Sequence, residues 1–150
     1  MRLVADANIL VGEALRAGGR RLLAHPELDL VVAADAWSET EHELRKRVAL
    51  LIQRGHLDTT TATKLLDDAL AVLAVAVVIV TTDVYDEKLE EARRRIPRDP
   101  QDAPTVALAL TLNCGIWTAD RDFFGCGVPV WTTETRQAHL DAASPQPDPR

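Results

Sequence analysis

The stretch from Arg98 to Asp122, RDPQDAPTVALALTLNCGIWTADRD, constrains this chain more than any other. Val106, Ala107, Leu108, Ala109, Leu110 and Leu112 are apolar almost all round, so the helix they form must be enclosed by other elements. Asp102 suits the N-cap of that helix, and Pro104 is tolerated in a first turn. Asn113 and Gly115 end it. The short apolar run Ile116-Trp117-Thr118 then reads as a buried strand, and Ala119-Asp120-Arg121-Asp122 turns away from it.

The N-terminus repeats this arrangement in miniature. Arg2 to Asp6 is a strand whose successive apolar residues Leu3, Val4 and Ala5 suit coverage on both faces, with Asp6 where the strand should stop. A helix over Ile9 to Leu15 follows, broken by Gly18-Gly19, and a second short helix runs from Arg20 to His25. Leu28 to Ala34 is the second strand. Asp35 or Ser38 caps a long helix to about Gln53, whose Leu44, Val48, Leu51 and Ile52 recur at helical spacing; Gly55 closes it. Asp58 or Thr59 starts the next helix. The β-branched run Val75 to Val80 favours a strand from near Val75, and Thr82 or Asp83 caps an amphipathic helix through Ile96. Val128 to Thr132 is a last strand, placed at a sheet edge by Pro129, and a closing helix spans Glu134 to Ala142. Strands alternating with helices imply an α/β fold with a mainly parallel sheet covered on both sides. Polar sites form at the carboxyl ends of such strands, where Asp6 and Asp120 both fall.

At 150 residues the chain suits one domain, taken as residues 1–143, with the SPQPDPR tail at 144–150 read as disordered. No apolar run is long and charge-free enough for a membrane span, and the start reads as a strand rather than a signal peptide. Cys114 and Cys126 make neither a disulfide framework nor a zinc site and suit reduced thiols in the cytoplasm. A net charge of −6 confines any nucleic-acid contact to a local patch.

Asp6, Glu39, Asp102 and Asp120 are the chemical signal. Two bare carboxylates about 4 Å apart repel by roughly 4 kcal/mol at an effective dielectric near 20, so a cluster of them calls for a cation. Mg2+ and Mn2+ are hard and take oxygen ligands; either can polarise a phosphate and lower the pKa of water.

The pieces VADANIL, AWSETEHEL, DAPTVALAL and IWTADRDF, in that order across Leu3 to Thr132, resemble a PIN-domain ribonuclease, in particular the VapC-like toxins of bacterial toxin–antitoxin pairs. The resemblance implies a three-layer α/β/α sandwich with a central parallel sheet. It further implies Mg2+ or Mn2+ held by Asp6, Glu39, Asp102 and Asp120, hydrolysis of RNA, a small antitoxin partner, and a homodimer. Asn8 and Thr118 match the family's polar positions beside the first and fourth acids. Glu43, four residues after Glu39 on one helical face, supports or replaces it; Asp99 rivals Asp102, and Asp122 rivals Asp120. Arg93, Arg94, Arg95 and Arg98 are candidates for RNA phosphates, against the reading that Glu87, Glu90 and Glu91 pair with them along the helix.

Three other readings compete. A nuclease-like protein without turnover would keep the acids and bind nucleic acid weakly. A receiver-type signalling domain also gathers acids at strand ends, but needs a lysine where this chain has Arg121. A dinucleotide-binding fold is disfavoured because ADANIL, not a glycine-rich turn, follows the first strand.

Overall fold

A computed structural model describes residues 1–143; the tail at 144–150, expected to be disordered, lies outside the described residues. Five strands form one parallel sheet: β1 (Arg2–Ala5), β2 (Asp29–Ala33), β3 (Val77–Val80), β4 (Gly115–Trp117) and β5 (Val130–Trp131), in the order β3-β2-β1-β4-β5. The helices are α1 (Ala7–Ala14), α2 (Ala17–Leu23), α3 (Ala34–Gln53), α4 (Thr59–Ala76), α5 (Leu89–Arg95), α6 (Ala103–Leu112) and α7 (Thr133–Ala143). The expected three-layer α/β/α sandwich is what forms. Helices α1 to α4 pack on one another, while α6, backed by α5, lies against β1, β2 and β4.

Burial follows strand position. Leu3, Val4 and Ala5 of the central β1 are buried, as are Leu30 to Ala33 of β2 and Ile116 and Trp117 of β4. The edge strand β3 instead leaves Val78 and Ile79 exposed. Helix α6 is enclosed as its composition demands, with Ala103, Val106, Ala107, Leu108 and Ala109 all buried. It ends at Asn113, whose φ of 50° lies in the left-handed region that asparagine tolerates.

The chain departs from the sequence reading in a few places. The Gly18-Gly19 pair does not break a helix. The chain turns at Leu15 and Arg16, and both glycines lie inside α2. Gly19 is there for close approach, since a Cβ would overlap the Glu13 backbone carbonyl across the α1–α2 corner. Strand β3 starts at Val77 rather than near Val75, because Val75 sits on the solvent side of the last turn of α4. Neither Asp35 nor Ser38 caps α3; its N-cap is Ala33, with no side-chain hydrogen bond. The single helix expected from Thr82 to Ile96 is two 3-10 turns, Thr82–Val84 and Asp86–Lys88, followed by the short α5. The turns let Tyr85 bury completely between them.

Candidate active site

The sheet order reverses beside β1: the chain passes from β1 outward to β2 and β3, then returns to place β4 on the other side. Crevices at the carboxyl ends of strands flanking such a reversal are where open α/β sheets bind ligands. Ala5 of β1 pairs with Trp117 of β4, so the next residues, Asp6 and Thr118, emerge side by side. The Asp6 N–H donates to the Trp117 carbonyl at 3.0 Å, and the Thr118 hydroxyl donates to Asp6 Oδ2 at 3.0 Å. The same hydroxyl oxygen accepts the Asp120 N–H at 2.9 Å, and Asp120 Oδ1 accepts the Asp122 N–H at 2.8 Å. One threonine thus ties the first acid to the loop carrying the last.

Asp102 comes from a different element, the start of α6. It occupies the N-cap position of α6 but makes no capping bond. Asp99 does the capping work in this turn, accepting the Gln101 N–H at 3.0 Å. The Asp102 carboxylate is left uncommitted by the fold, as is that of Glu39, which projects from α3 and forms no ion pair among the described residues.

These acids lie in one another's electric field. Burial pushes the Asp6 carboxyl from 3.8 up to about 6; the Thr118 hydrogen bond pulls it down, and the charges of Glu39 and Asp120 raise it again. Burial likewise lifts Asp102 from 3.8 to about 7, with Asp6, Asp99, Asp120 and Glu39 adding to the rise. Asp6, Glu39, Asp102 and Asp120 are therefore near enough to act on one another's charge. Among the described residues, no three His, Cys, Asp or Glu side chains lie close enough together to hold a metal ion by themselves.

The rival residues have other engagements. Glu43 pairs with Lys46 at 3.2 Å, and Asp122 faces Arg98 at 3.5 Å. The Asn8 side chain is exposed and hydrogen-bonds to none of the acids. Of the arginines, Arg94 bonds Glu90 at 2.7 Å, while Arg95 bonds Glu91 at 2.6 Å and the Cys126 carbonyl at 3.0 Å. Arg93 has no ion-pair partner among the described residues. It faces a groove of about 460 Å³ shared with Glu39, Asp35 and Gln101. Asp35 and Gln101 were missed as candidates for this region. Asp35 stands four residues before Glu39, on the same helical face, which was the available signal.

A divalent cation suits this donor set. The buried Asp6 and the half-buried Asp102, both raised by desolvation and by neighbouring anions, are the groups that a positive charge would relieve. Mg2+ keeps several waters and binds through one or two carboxylates plus substrate phosphates, so it does not require the group of three acids that the described residues lack.

Among solved structures, PAE2754 from Pyrobaculum aerophilum matches with a TM-score of 0.67 at 22% identity, over 95% of this chain and 90% of that one. A FitAB assembly bound to an IR36 DNA fragment matches with a TM-score of 0.56 at 22% identity, covering 88% and 94%. FitAcB from Neisseria gonorrhoeae gives a TM-score of 0.51 at 22% identity, covering 87% and 96%. No curated protein sequence matches significantly. The sequence profile of the PIN domain matches residues 4–141, which takes in both strands of the crevice and every acid beside it, and the chain belongs to the PIN domain family.

Proposed function

We propose that this chain is a divalent-metal-dependent endoribonuclease and the toxin of a toxin–antitoxin pair. One observation carries the nuclease reading: Asp6, at the end of β1 beside the sheet's reversal, and Asp102, at the start of α6, are both raised by desolvation and by other acids, and Asp102 feels the charge of Asp6. A fold that gathers uncompensated anions in a crevice is arranged to receive a cation.

In this reading Asp6 and Asp102, with Glu39 and Asp120, hold Mg2+ or Mn2+. When bound, the metal supplies Lewis-acid polarisation of the phosphate and lowers the pKa of water. The protein's contribution is placement. Thr118 fixes the Asp6 carboxylate through Oδ2 and holds the Asp120 backbone, and the Asp122 N–H orients Asp120 Oδ1. Water attack on phosphorus with loss of the 3′-oxygen leaves a 5′-phosphate and a 3′-hydroxyl. The two free thiols, Cys114 and Cys126, support action in the cytoplasm. No described helix is long and apolar enough to cross a membrane.

The test is cleavage of single-stranded RNAs by wild type and Asp6→Asn, with and without Mn2+. Cleavage by wild type alone, dependent on Mn2+, supports the reading; equal cleavage by both proteins refutes it. The lack, among the described residues, of three acids close enough to hold a metal ion by themselves favours one second reading, a PIN domain that binds nucleic acid without turnover. Binding without cleavage across varied RNAs would select it. The toxin assignment rests on the resemblance of the motifs to VapC-like toxins. Co-purification with the product of the adjacent gene tests it, and sedimentation tests the expected homodimer.

A further inference from the structure

The arginine run of α5 divides into residues the fold uses and one it does not. Arg94 and Arg95 turn back along the helix to Glu90 and Glu91, and Arg98 faces Asp122. Arg93 follows Leu89 by one helical turn, and both line the groove that α5 makes with α3 and the start of α6. Ala36, Pro100, Ala103 and Pro104 give the groove apolar walls; Asp35, Glu39 and Gln101 are its other polar groups. Its volume, about 460 Å³, falls in the range of small-molecule sites. Glu39 belongs both to this groove and to the field around Asp6 and Asp102, so the groove opens onto the acid edge.

We infer that this groove seats one nucleotide of single-stranded RNA beside the scissile phosphodiester, with Arg93 gripping the phosphate and Asp35 and Gln101 meeting the base. The inference rests on the nuclease reading and names where its substrate lies. An unpaired guanidinium offers planar, bidentate donors that match phosphate oxygens. Proline and alanine walls accept the apolar face of a base, which must leave its stack to enter. Asp35, as a carboxylate, only accepts hydrogen bonds, so it favours the exocyclic amino groups of adenine, cytosine or guanine over uracil, whose base offers the single donor N3–H. Asp35 and Glu39 outnumber Arg93 in the groove, so a cationic protein segment is the rival occupant, and the experiment below separates it from RNA.

The experiment uses full-length Asp6→Asn protein, which separates binding from cleavage, and dye-labelled eight-nucleotide RNAs of A-rich, C-rich and U-rich sequence in metal-free buffer, read by fluorescence anisotropy. Arg93→Met in that background should weaken binding about tenfold and reduce the slope of log K against log salt by about 0.7, the loss of one phosphate contact on a single strand. Arg94→Met should change binding less than twofold, Arg93→Lys should recover part of the loss, and Asp35→Asn should erase the preference against U-rich RNA. Equal effects of Arg93→Met and Arg94→Met would overturn the proposal, as would a parent protein that binds none of the RNAs at low salt. Loss of a protein partner on Arg93→Met with RNA binding intact would overturn it too, marking the groove as a protein-docking surface. Failure of the nuclease reading shows separately, as wild type that cleaves no RNA with Mn2+ while the Arg93 effect on binding persists.

Discussion

Two groups of ionisable side chains flank the end of β4, and they are built on opposite principles. On one side Asp6, Glu39, Asp102 and Asp120 gather like charges, with a threonine hydroxyl and backbone amides as the donors to their carboxylates. On the other, buried Glu13 accepts from Arg16 at 2.6 Å and from the Thr133 hydroxyl at 2.9 Å, and the Trp117 indole N–H donates to that hydroxyl at 3.3 Å. Arg136 lies fully buried with its guanidinium 4.2 Å from the centre of the Trp117 ring. Burial lowers its pKa and the Glu13 charge raises it. The second group sets opposite charges near one another: Glu13 is paired with Arg16, and Arg136 rests on the Trp117 ring within the influence of the Glu13 charge. The first lacks a counter-charge, and that difference is what the proposed cation site rests on.

The largest expected effect tests the group of opposite charges. Glu13→Leu leaves the Arg136 guanidinium, none of whose nitrogens has a hydrogen-bond partner, without its nearby anion, and strips Arg16 and Thr133 of their acceptor. Removing the acceptor of the Thr133 hydroxyl and of Arg16 costs about 1–3 kcal/mol, more where a charge is involved, which urea denaturation would register. Arg136→Met removes a guanidinium that already lacks hydrogen bonds, so it should cost less, about 1 kcal/mol for the lost ring contact. Equal costs for the two variants would show that Glu13 does not serve as counter-charge.

The acid edge should behave in the reverse sense. A carboxyl whose folded pKa lies above its unfolded one adds stability below the unfolded value and loses it as pH rises through the folded value. For Asp6 that window runs from 3.8 to about 6, and for Asp102 from 3.8 to about 7. Metal-free wild type should therefore weaken between pH 4 and pH 8. Asp6→Asn should be the more stable protein at pH 8 by about 2–3 kcal/mol, following from the 3.8-to-6 rise, and equal to wild type near pH 4. Because Asp102 sits in the field of Asp6, the double variant should gain less than the sum of the singles. Mn2+ should raise the melting temperature of wild type at pH 8 and leave Asp6→Asn nearly unmoved. A flat stability profile in chelator would remove the contrast between the two groups.

The acid edge was far more legible in the sequence than its counterpart, for physical reasons. Asp6 and Asp120 follow runs of buried apolar residues, and their place at strand ends can be read from local pattern alone. Strand-to-helix alternation likewise gave the sandwich. The Glu13 group depends on contacts with residues 120 and more positions away, and nothing in GEALRAGG announces a buried carboxylate. Gly19 carried the clue, but helix propensity read it as a breaker when it serves the α1–α2 approach. Asp35 was hidden for a similar reason. A carboxylate at a helix start reads as a cap, whereas α3 begins without one and leaves Asp35 to the groove. The helix expected before Ile96 failed because burying Tyr85 outweighs the regular hydrogen bonds of a continuous helix.

An intermediate effect belongs to Thr118, which touches both Asp6 and the Asp120 backbone. Thr118→Val removes a donor to a buried carboxylate and an acceptor for an N–H. It should cost about 1–3 kcal/mol at pH 8 and lower RNA cleavage about 10- to 100-fold by loosening the carboxylates. The Asp6 titration, followed by carboxyl NMR, should move up from about 6, since the Thr118 bond is what holds it down. An unmoved titration with reduced cleavage would shift the role of Thr118 from Asp6 to the Asp120 loop.

The smallest effects should come from the acids that the fold has already paired. Glu43 meets Lys46 on the outer part of α3, an i,i+3 contact of the kind that contributes about 0.3–0.5 kcal/mol. Asp122 contributes to the acid edge through its backbone N–H, which Asp122→Asn retains, while its carboxylate faces the exposed Arg98. Glu43→Gln and Asp122→Asn should thus each leave stability within about 0.5 kcal/mol and RNA cleavage within about threefold. The comparison with Asp120→Asn is the informative one. Asp122→Asn behaving like Asp120→Asn would mean that the Asp122 carboxylate leaves Arg98 when cation and substrate arrive, and the boundary between committed and uncommitted acids would then lie one residue pair further from β4.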